Sequence, residues 1–575
     1  MSVSGISPGI AMGKVIIYRR PKVTVEKKQI IDVELEINRF YEAVEKSINE
    51  IENAYHMVLK NMGQEEADIF SAHKVMLQDE EFINQVISKI REEKVSAEYA
   101  VKEVISQYIV LFEEIEDEYL KTRVQDLKDV GNRITNVLLG IKDVDLRTLK
   151  GEYILVAEDL LPSDMAFMNR EAIVGIVMEQ GGKTSHVSIM AKSLEIPAIA
   201  GVDGITNLLK DGDTMIIDGD TGLIQINPTK EEVEKYIIKR KKSEEFKQII
   251  HKMKEMETIS KDGVKVRLVA NIGTPDDVDN VIKNGGEGIG LFRTEFLYMN
   301  NQKMPTEEEQ FKAYKSVVER LNGKPVIIRT LDVGGDKDIP YLDLKKEENP
   351  YLGLRAIRLC LSRTDIFKTQ LRALLRASYY GNIKVMFPMI STIDELRDAK
   401  RILEQVKDDL EKENIPFNRN IQVGIMVEIP SVAILSRLFA KEVDFFSIGT
   451  NDLIQYTLAV DRGNHDISYL YSHYNPAVLR LIKMTIDNGH KEGIQVNMCG
   501  EAAGDEKLIP VLLAMGLDEF SMNPSSILKA RWIINNTSKK DIEPMLDTIL
   551  NLSTAKEVEE FIDKNIYIKL QEVTF

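Results

Sequence analysis

The sequence predicts a multidomain α/β protein: a small α/β domain interrupted by an inserted α-helical bundle, then a linker helix, then a C-terminal (β/α)8 barrel. Three observations carry this. The chain has 575 residues, 43% of them apolar, which is too long for one core and rich enough to fill several. Between Pro21 and Pro162 there is no proline, and apolar residues recur there at helical spacing. From about residue 260 onward, eight β-type runs alternate with helical segments, the strand count of a (β/α)8 barrel. The expected divisions are 1–20 with 146–229 for the α/β domain, 21–145 for the bundle, 230–259 for the linker helix and 260–575 for the barrel.

Residues 3–18, "VSGISPGIAMGKVIIY", read as a β segment broken by Ser7, Pro8 and Gly9. In the bundle, Ile51, Ala54, Tyr55 and Leu59 share one helical face, and Ile105, Tyr108, Ile109 and Phe112 another. From "GEYILVAEDLLPSDM" to "DGDTMIIDGDTGLIQINPT", short strands alternate with Gly, Asp and Pro turns, with one helix expected after His186. Residues 229–258 are charged and contain neither glycine nor proline, which reads as one long connecting helix. The barrel runs are "VRLVANI", "GIGLF", "PVIIRT", "KVMFP", "VGIMVE", "VDFFSIG", "QVNMCG" and "DEFSM". "GGEGIG" at 285–290 leads into a strand rather than out of one, so it is not a dinucleotide loop.

Composition excludes several classes. A net charge of −17 argues against a nucleic-acid surface, which needs clustered Lys and Arg. It suits a partner with a basic face, and residues 51–100 hold ten Asp or Glu against five Lys or Arg. No long uncharged apolar run and no signal-peptide pattern is present, so a cytoplasmic protein without a membrane segment is expected. Cys360 and Cys499 lack metal-site spacing and are too few for a disulfide framework.

The stretch "EQGGKTSHVSIMAKSLEIPAIAG", Glu179 to Gly201, ends a glycine pair with Lys183 and Thr184 as a P-loop does. A P-loop needs a further glycine five positions before Gly182, and Val177 stands there. Apolar Val187, Met190, Ala191 and Leu194 instead predict a helix beginning beside His186. A phosphoryl group on that imidazole would sit near a helix N-terminus, where free N–H groups favour an anion. Imidazole is a competent nucleophile near neutral pH. The loop is therefore read as carrying phosphate covalently, with Lys183 and Thr184 adding contacts.

In a (β/α)8 enzyme the active site is assembled just past the strands. Those positions hold Arg293 after the second run, Arg329 and Lys337 after the third, and Glu428 at the fifth. Asn451, Asp452 and Arg462 follow the sixth, and Cys499 and Glu501 the seventh. For any single arginine a surface ion pair is the ordinary explanation. Four cations and two carboxylates at the ends of different strands fit a small polyanion held with a divalent metal. Cys499 at the same mouth is a candidate proton donor.

These residues resemble a family, Enzyme I of the bacterial phosphoenolpyruvate:sugar phosphotransferase system. "GGKTSHVSIMAKSLEIPAIAG" is similar to its phosphohistidine signature. "GLFRTEFLYM", "RTLDVGGDK", "ENPYLGLRAIR", "MFPMI", "VGIMVEIPS", "DFFSIGTNDLIQYTLAVDRGN" and "NMCGEAAGD" are similar to its barrel motifs, in order. The resemblance implies a swivelling domain phosphorylated on His186. It implies phosphoenolpyruvate bound by Arg293, Arg329, Arg462, Asn451 and Asp452, with Lys337 and Arg355 as further contacts. It also implies Mg2+ on Glu428 and Asp452, and Cys499 as the acid that converts the enolate to pyruvate. The bundle would dock the phosphocarrier HPr, and the barrel would form a homodimer.

Two positions depart from the pattern: Lys183 stands where many relatives have arginine, and Met165 where a threonine commonly orients the active histidine. The alternatives are a dikinase or phosphoenolpyruvate synthase, which would need an ATP-binding domain that this chain has no motif for, and a regulatory paralogue serving a different carrier.

Overall fold

The computed structural model describes residues 4–19, 25–61, 64–113, 118–141, 146, 149–181, 186–299, 303–335, 339–342, 345, 347–462 and 464–572. The chain forms two compact units, Met1–Lys241 and Lys242–Phe575.

The first unit is built on strands β1 (Ser4–Ser7), β2 (Ile10–Tyr18), β3 (Tyr153–Ala157), β4 (Ile173–Met178), β5 (Ala198–Ala200), β6 (Thr214–Asp218) and β7 (Leu223–Ile226). They form one sheet in the order β1-β5-β4-β3-β2-β6-β7. β2 pairs parallel with β3 from Lys14↔Tyr153 to Tyr18↔Ala157, so the chain before and after the helical insertion joins in one sheet. β3 and β4 are continuously apolar because both faces are covered. Leu155, Ala157, Ile176 and Met178 belong to the core facing the bundle. Their alternates Ile154, Val156 and Val177 pack with Ile205 and Leu209 on the other side.

The insertion holds helices α1 (Val33–Asn61), α2 (Gln64–Leu77), α3 (Glu80–Glu93), α4 (Ala97–Glu113) and α5 (Glu118–Leu139). α3 shows how the local sequence sets its own ends. Asp79 accepts the Phe82 N–H at 2.8 Å as N-cap, and Lys94 closes the helix at φ 50°. Arg39 ties three helices together, binding Glu36 at 2.6 Å, Glu98 at 2.9 Å and the Leu138 carbonyl at 2.8 Å. Phe40, Phe70, Val101 and Ile134 of the bundle share one apolar cluster with Leu155, Met165 and Met190 of the α/β part. Bundle and sheet therefore stabilise each other. No helix among the described residues is long and apolar enough to cross a membrane.

Of the charged stretch 229–258, the helix covers Lys230–Lys252, shorter than the one long helix its composition suggests. The chain turns after Lys252 because buried Arg531 binds the carbonyls of Met253 at 3.2 Å and Lys254 at 2.9 Å. Those carbonyls are satisfied by a side chain of the barrel unit rather than by further helix.

That unit contains β8 (Arg267–Ile272), β9 (Ile289–Arg293), β10 (Val326–Arg329), β11 (Ile383–Phe387), β12 (Gln422–Val427), β13 (Phe445–Ile448), β14 (Gln495–Met498) and β15 (Glu519–Met522). All eight are parallel, and β15 pairs with β8 to close the barrel. Its strands are the eight runs read from the sequence. Inside, Leu291, Ile327, Met386, Met426, Phe445 and Cys499 form a separate apolar cluster, the side-chain filling that makes such a barrel a packed core rather than a pore.

Candidate active site

Side chains alternate along a strand, so residues two apart share a face. Leu291 and Ile327 lie in the inner cluster. Arg293 and Arg329, two positions on, end β9 and β10 in the same inward rows at the C-terminal mouth. Arg329 is 5% exposed. It binds Glu295 at 2.7 Å and Asp332 at 2.9 Å, while its Nε is buried without a partner. Burial opposes its charge, but Asp332, Glu295 and Glu428 outweigh that and hold its pKa above the usual arginine value. Arg293 has no hydrogen bond or ion pair of its side chain among the described residues, and it acts electrostatically on Cys499.

Arg355 is equally buried. It binds Asp332 at 3.0 Å, Asp452 at 3.3 Å and the Tyr456 hydroxyl at 3.2 Å, and its Nε too is unpartnered. A guanidinium has five N–H donors, so both arginines retain donors for an anion.

Glu428 follows β12 directly and is fully buried. Its Oε1 accepts the Met389 N–H at 2.6 Å, and Met389 holds that N–H in place with φ 54°, a conformation that L residues rarely adopt. Oε2 has no partner. Burial first, then Asp452 and Asp332, push its carboxyl up to about 8. Gly449 keeps the space beside it open, since a Cβ there would lie 3.0 Å from Oε2.

An orphaned buried carboxylate oxygen next to a second carboxylate is a poor arrangement alone and a good one for a hard divalent cation. The donors fit Mg2+. No group of three or more metal-type side chains occurs among the described residues, so Glu428 and Asp452 would leave most of an octahedron to water and substrate.

Asn451 and Asp452 start the helix Thr450–Leu458 that follows β13. Asn451 donates to Glu501 at 3.2 Å and accepts the Glu501 N–H at 3.2 Å, tying this helix to the turn after β14. That turn needs glycine: a Cβ on Gly500 would run into Thr450. The helix ends at Ala459, φ 52°, and the chain turns to Arg462, whose N–H donates to Gln455 at 3.2 Å.

Cys499 follows β14 and is 3% exposed. Burial pushes its thiol up to about 11, against the lowering effect of Arg329 and Arg293. It is therefore a protonated group at neutral pH, among arginines and beside Glu428.

The structure thus gathers Arg293, Arg329, Arg355, Glu428, Asp452 and Cys499 into one interacting cluster, with Asn451 and Arg462 on the adjoining helix and loop. Lys183, Thr184 and Lys337 lie outside the described residues, as does the side chain of His186. The backbone of His186 belongs to the helix His186–Ser193. Met165 is 2% exposed in the helix Pro162–Phe167 and packs into the core shared by bundle and sheet. Reading strand ends missed Glu295 and Asp332, which hold Arg329, and Tyr456, which holds Arg355. The signal was present as a second charge two or three residues after each arginine, in "RTE" and "RTLD".

Three domain families match the chain: "PEP-utilising enzyme, N-terminal" over residues 4–123, "PEP-utilising enzyme, mobile domain" over 149–222, and "PEP-utilising enzyme, PEP-binding domain" over 247–539. Among curated proteins, phosphoenolpyruvate-protein phosphotransferases of Priestia megaterium and Bacillus subtilis (strain 168) are each 52% identical. The first alignment covers 98% of both chains, the second 97% of this chain and 98% of the relative. That of Bacillus sp. (strain S) is 50% identical over 97% of this chain and 96% of its own length. With half its residues shared across nearly its whole length, the chain belongs to the phosphoenolpyruvate-protein phosphotransferase family.

Proposed function

We propose that the chain takes the phosphoryl group of phosphoenolpyruvate onto His186 and passes it to the histidine of an HPr-type carrier, the entry step of a sugar phosphotransferase system. The observation that carries the reading is the barrel-mouth cluster. There, two buried arginines with spare donors, an orphaned Glu428 oxygen and a protonated thiol lie together in a chain of this family.

Arg293, Arg329 and Arg462 would bind the phosphoryl and carboxylate oxygens. Transfer of a phosphoryl group is mostly a matter of position and electrostatic stabilisation. The P–O bond to the enol oxygen breaks as a P–N bond to a ring nitrogen of His186 forms. The enolate left behind takes its proton from the Cys499 thiol, which recovers one from solvent. Mg2+ held by Glu428 and Asp452 would supply positive charge to the phosphoryl oxygens. One histidine serves two partners, so the α/β domain must visit the barrel mouth and the carrier in turn. The same reading assigns the barrel a homodimer contact.

Glu428→Ala tests the metal site. Autophosphorylation should be lost in Mg2+, while the fold remains. In chelator the variant loses the bond to the Met389 N–H together with a buried carboxyl, so its melting temperature is compared with the parent's across pH. A carboxyl whose pKa rises from 4.5 to about 8 on folding opposes folding increasingly as pH rises between those values. Any gain in melting temperature should therefore be larger at pH 8 than at pH 5. Full activity of Glu428→Ala would remove the metal from the mechanism.

The bundle is the surface proposed for the carrier, and its acidic face is narrower than its composition suggests. Glu98 is buried against Arg39, Glu52 pairs with Lys74 at 2.6 Å, and Glu93 pairs with Lys27 at 2.7 Å. Asp79, Glu80, Glu81 and Glu92 remain exposed around α3. Carrier association should slow several-fold between low and physiological salt. Charge reversal at Glu80 and Glu81 should flatten that dependence, and stopped-flow association rates measure both.

A further inference from the structure

The carboxylates of the barrel mouth do not all have the same task, and Asp332 is one that neither the strand-end pattern nor the metal pair accounts for. It is 2% exposed and grips two guanidiniums at once: Oδ2 lies 2.9 Å from Arg329 Nη1, and Oδ1 lies 3.0 Å from Arg355 Nη2. The other terminal nitrogen of Arg355 is already 3.3 Å from Asp452 Oδ1. Glu428 acts electrostatically on both arginines. Two buried cations therefore sit within reach of the two carboxylates that would hold the metal.

We infer that Asp332 is a positioning residue that keeps Arg355 and Arg329 from closing on Asp452 and Glu428, and so reserves those two carboxylates for the divalent cation. The inference rests on the metal reading above. A buried guanidinium that loses an anionic partner turns its donors to the nearest other one. For Arg355 that is Asp452, where a second N–H would complete a two-point grip in place of the single contact at 3.3 Å. For Arg329, whose Nη2 is already taken by Glu295 at 2.7 Å, the remaining buried acceptor is Glu428, which acts on it electrostatically and whose Oε2 has no hydrogen-bond partner. Arg355 is in turn steadied by Tyr456, whose hydroxyl donates to the Tyr351 carbonyl at 2.5 Å. With Asp332 in place, the shortest ion pair of Arg355 is to a carboxylate outside the metal pair.

The test measures metal binding rather than turnover. Mn2+ affinity of the full-length protein, read from the loss of the free-ion electron paramagnetic resonance signal, is compared for the parent, Glu428→Ala, Asp332→Asn, Arg355→Met and the Asp332→Asn/Arg355→Met pair. Asp332→Asn should weaken Mn2+ binding about tenfold, the scale of one charge-assisted hydrogen bond. Arg355→Met alone should tighten it, and the pair should recover most of the loss, which a merely structural defect would not allow. Asp332→Asn binding Mn2+ as the parent does, or a double variant no better than Asp332→Asn, overturns the role of Asp332. Should Asp332→Asn fail to fold, Arg355→Met decides by itself, and weaker binding in that variant overturns the inference. A parent that binds no Mn2+, or a Glu428→Ala variant that binds it fully, defeats the metal reading instead and this inference with it.

Discussion

Labelled phosphoenolpyruvate with Mg2+ should label the protein on one histidine, and His186→Ala should take up no label. The expected effect is complete because a covalent carrier cannot be replaced by neighbouring charge: the P–N bond needs a ring nitrogen at that place. The bound phosphate should be lost in acid and kept in alkali, as a phosphoramidate is. Tandem mass spectrometry under alkaline conditions should place it on His186. His186 lies on the helix His186–Ser193 of the α/β part. Label retained in His186→Ala would move the acceptor to another of the seven histidines. Met165 is a buried thioether in the core shared by bundle and sheet and has no hydroxyl to offer an imidazole. Met165→Thr should raise the rate of phosphorylation if tautomer control limits it.

Cys499→Ala should slow pyruvate formation by about 10²–10⁴, the range of general acid catalysis, with phosphoenolpyruvate affinity nearly unchanged. The thiol is neutral and the binding charge is carried by the arginines around it, so its removal subtracts a proton and no binding charge. Because burial raises its pKa to about 11, the protonated fraction is complete at neutral pH. The rate of the protonation step should be level from about pH 6 to pH 10 and fall above, as the thiolate forms. The measurement is solvent-deuterium incorporation into pyruvate in single turnover, against pH. A parent-like rate in Cys499→Ala would assign the proton to water or to another side chain.

Much of this was legible in order along the chain. The eight barrel runs, the proline-free bundle and the histidine before an apolar helical pattern are local signals, because strand alternation, helical period and turn chemistry act over a few residues. Arg293, Arg329, Glu428, Asp452 and Cys499 could be picked out for the same reason: a parallel barrel puts every strand's C-terminal end at one mouth. The linker helix is shorter than its composition suggests because composition cannot foresee Arg531, 278 residues beyond Met253, binding the carbonyls just past its end. Three of the ten acidic residues were taken up likewise, Glu98 by Arg39, Glu52 by Lys74 and Glu93 by Lys27.

The choice of candidate groups, their chain order and the architecture that gathers them are thus properties of the linear chain, since each depends on near neighbours and on one topological rule. Which carboxylate serves which cation is not. The Asp332–Arg355 pair, Glu428 with one oxygen on the Met389 N–H and the other unpartnered, and a bundle sharing its core with the sheet all join residues tens of positions apart or more. Their energies come from burial, which makes each unpaired charge costly and each pairing selective, and burial exists only once the chain has closed on itself.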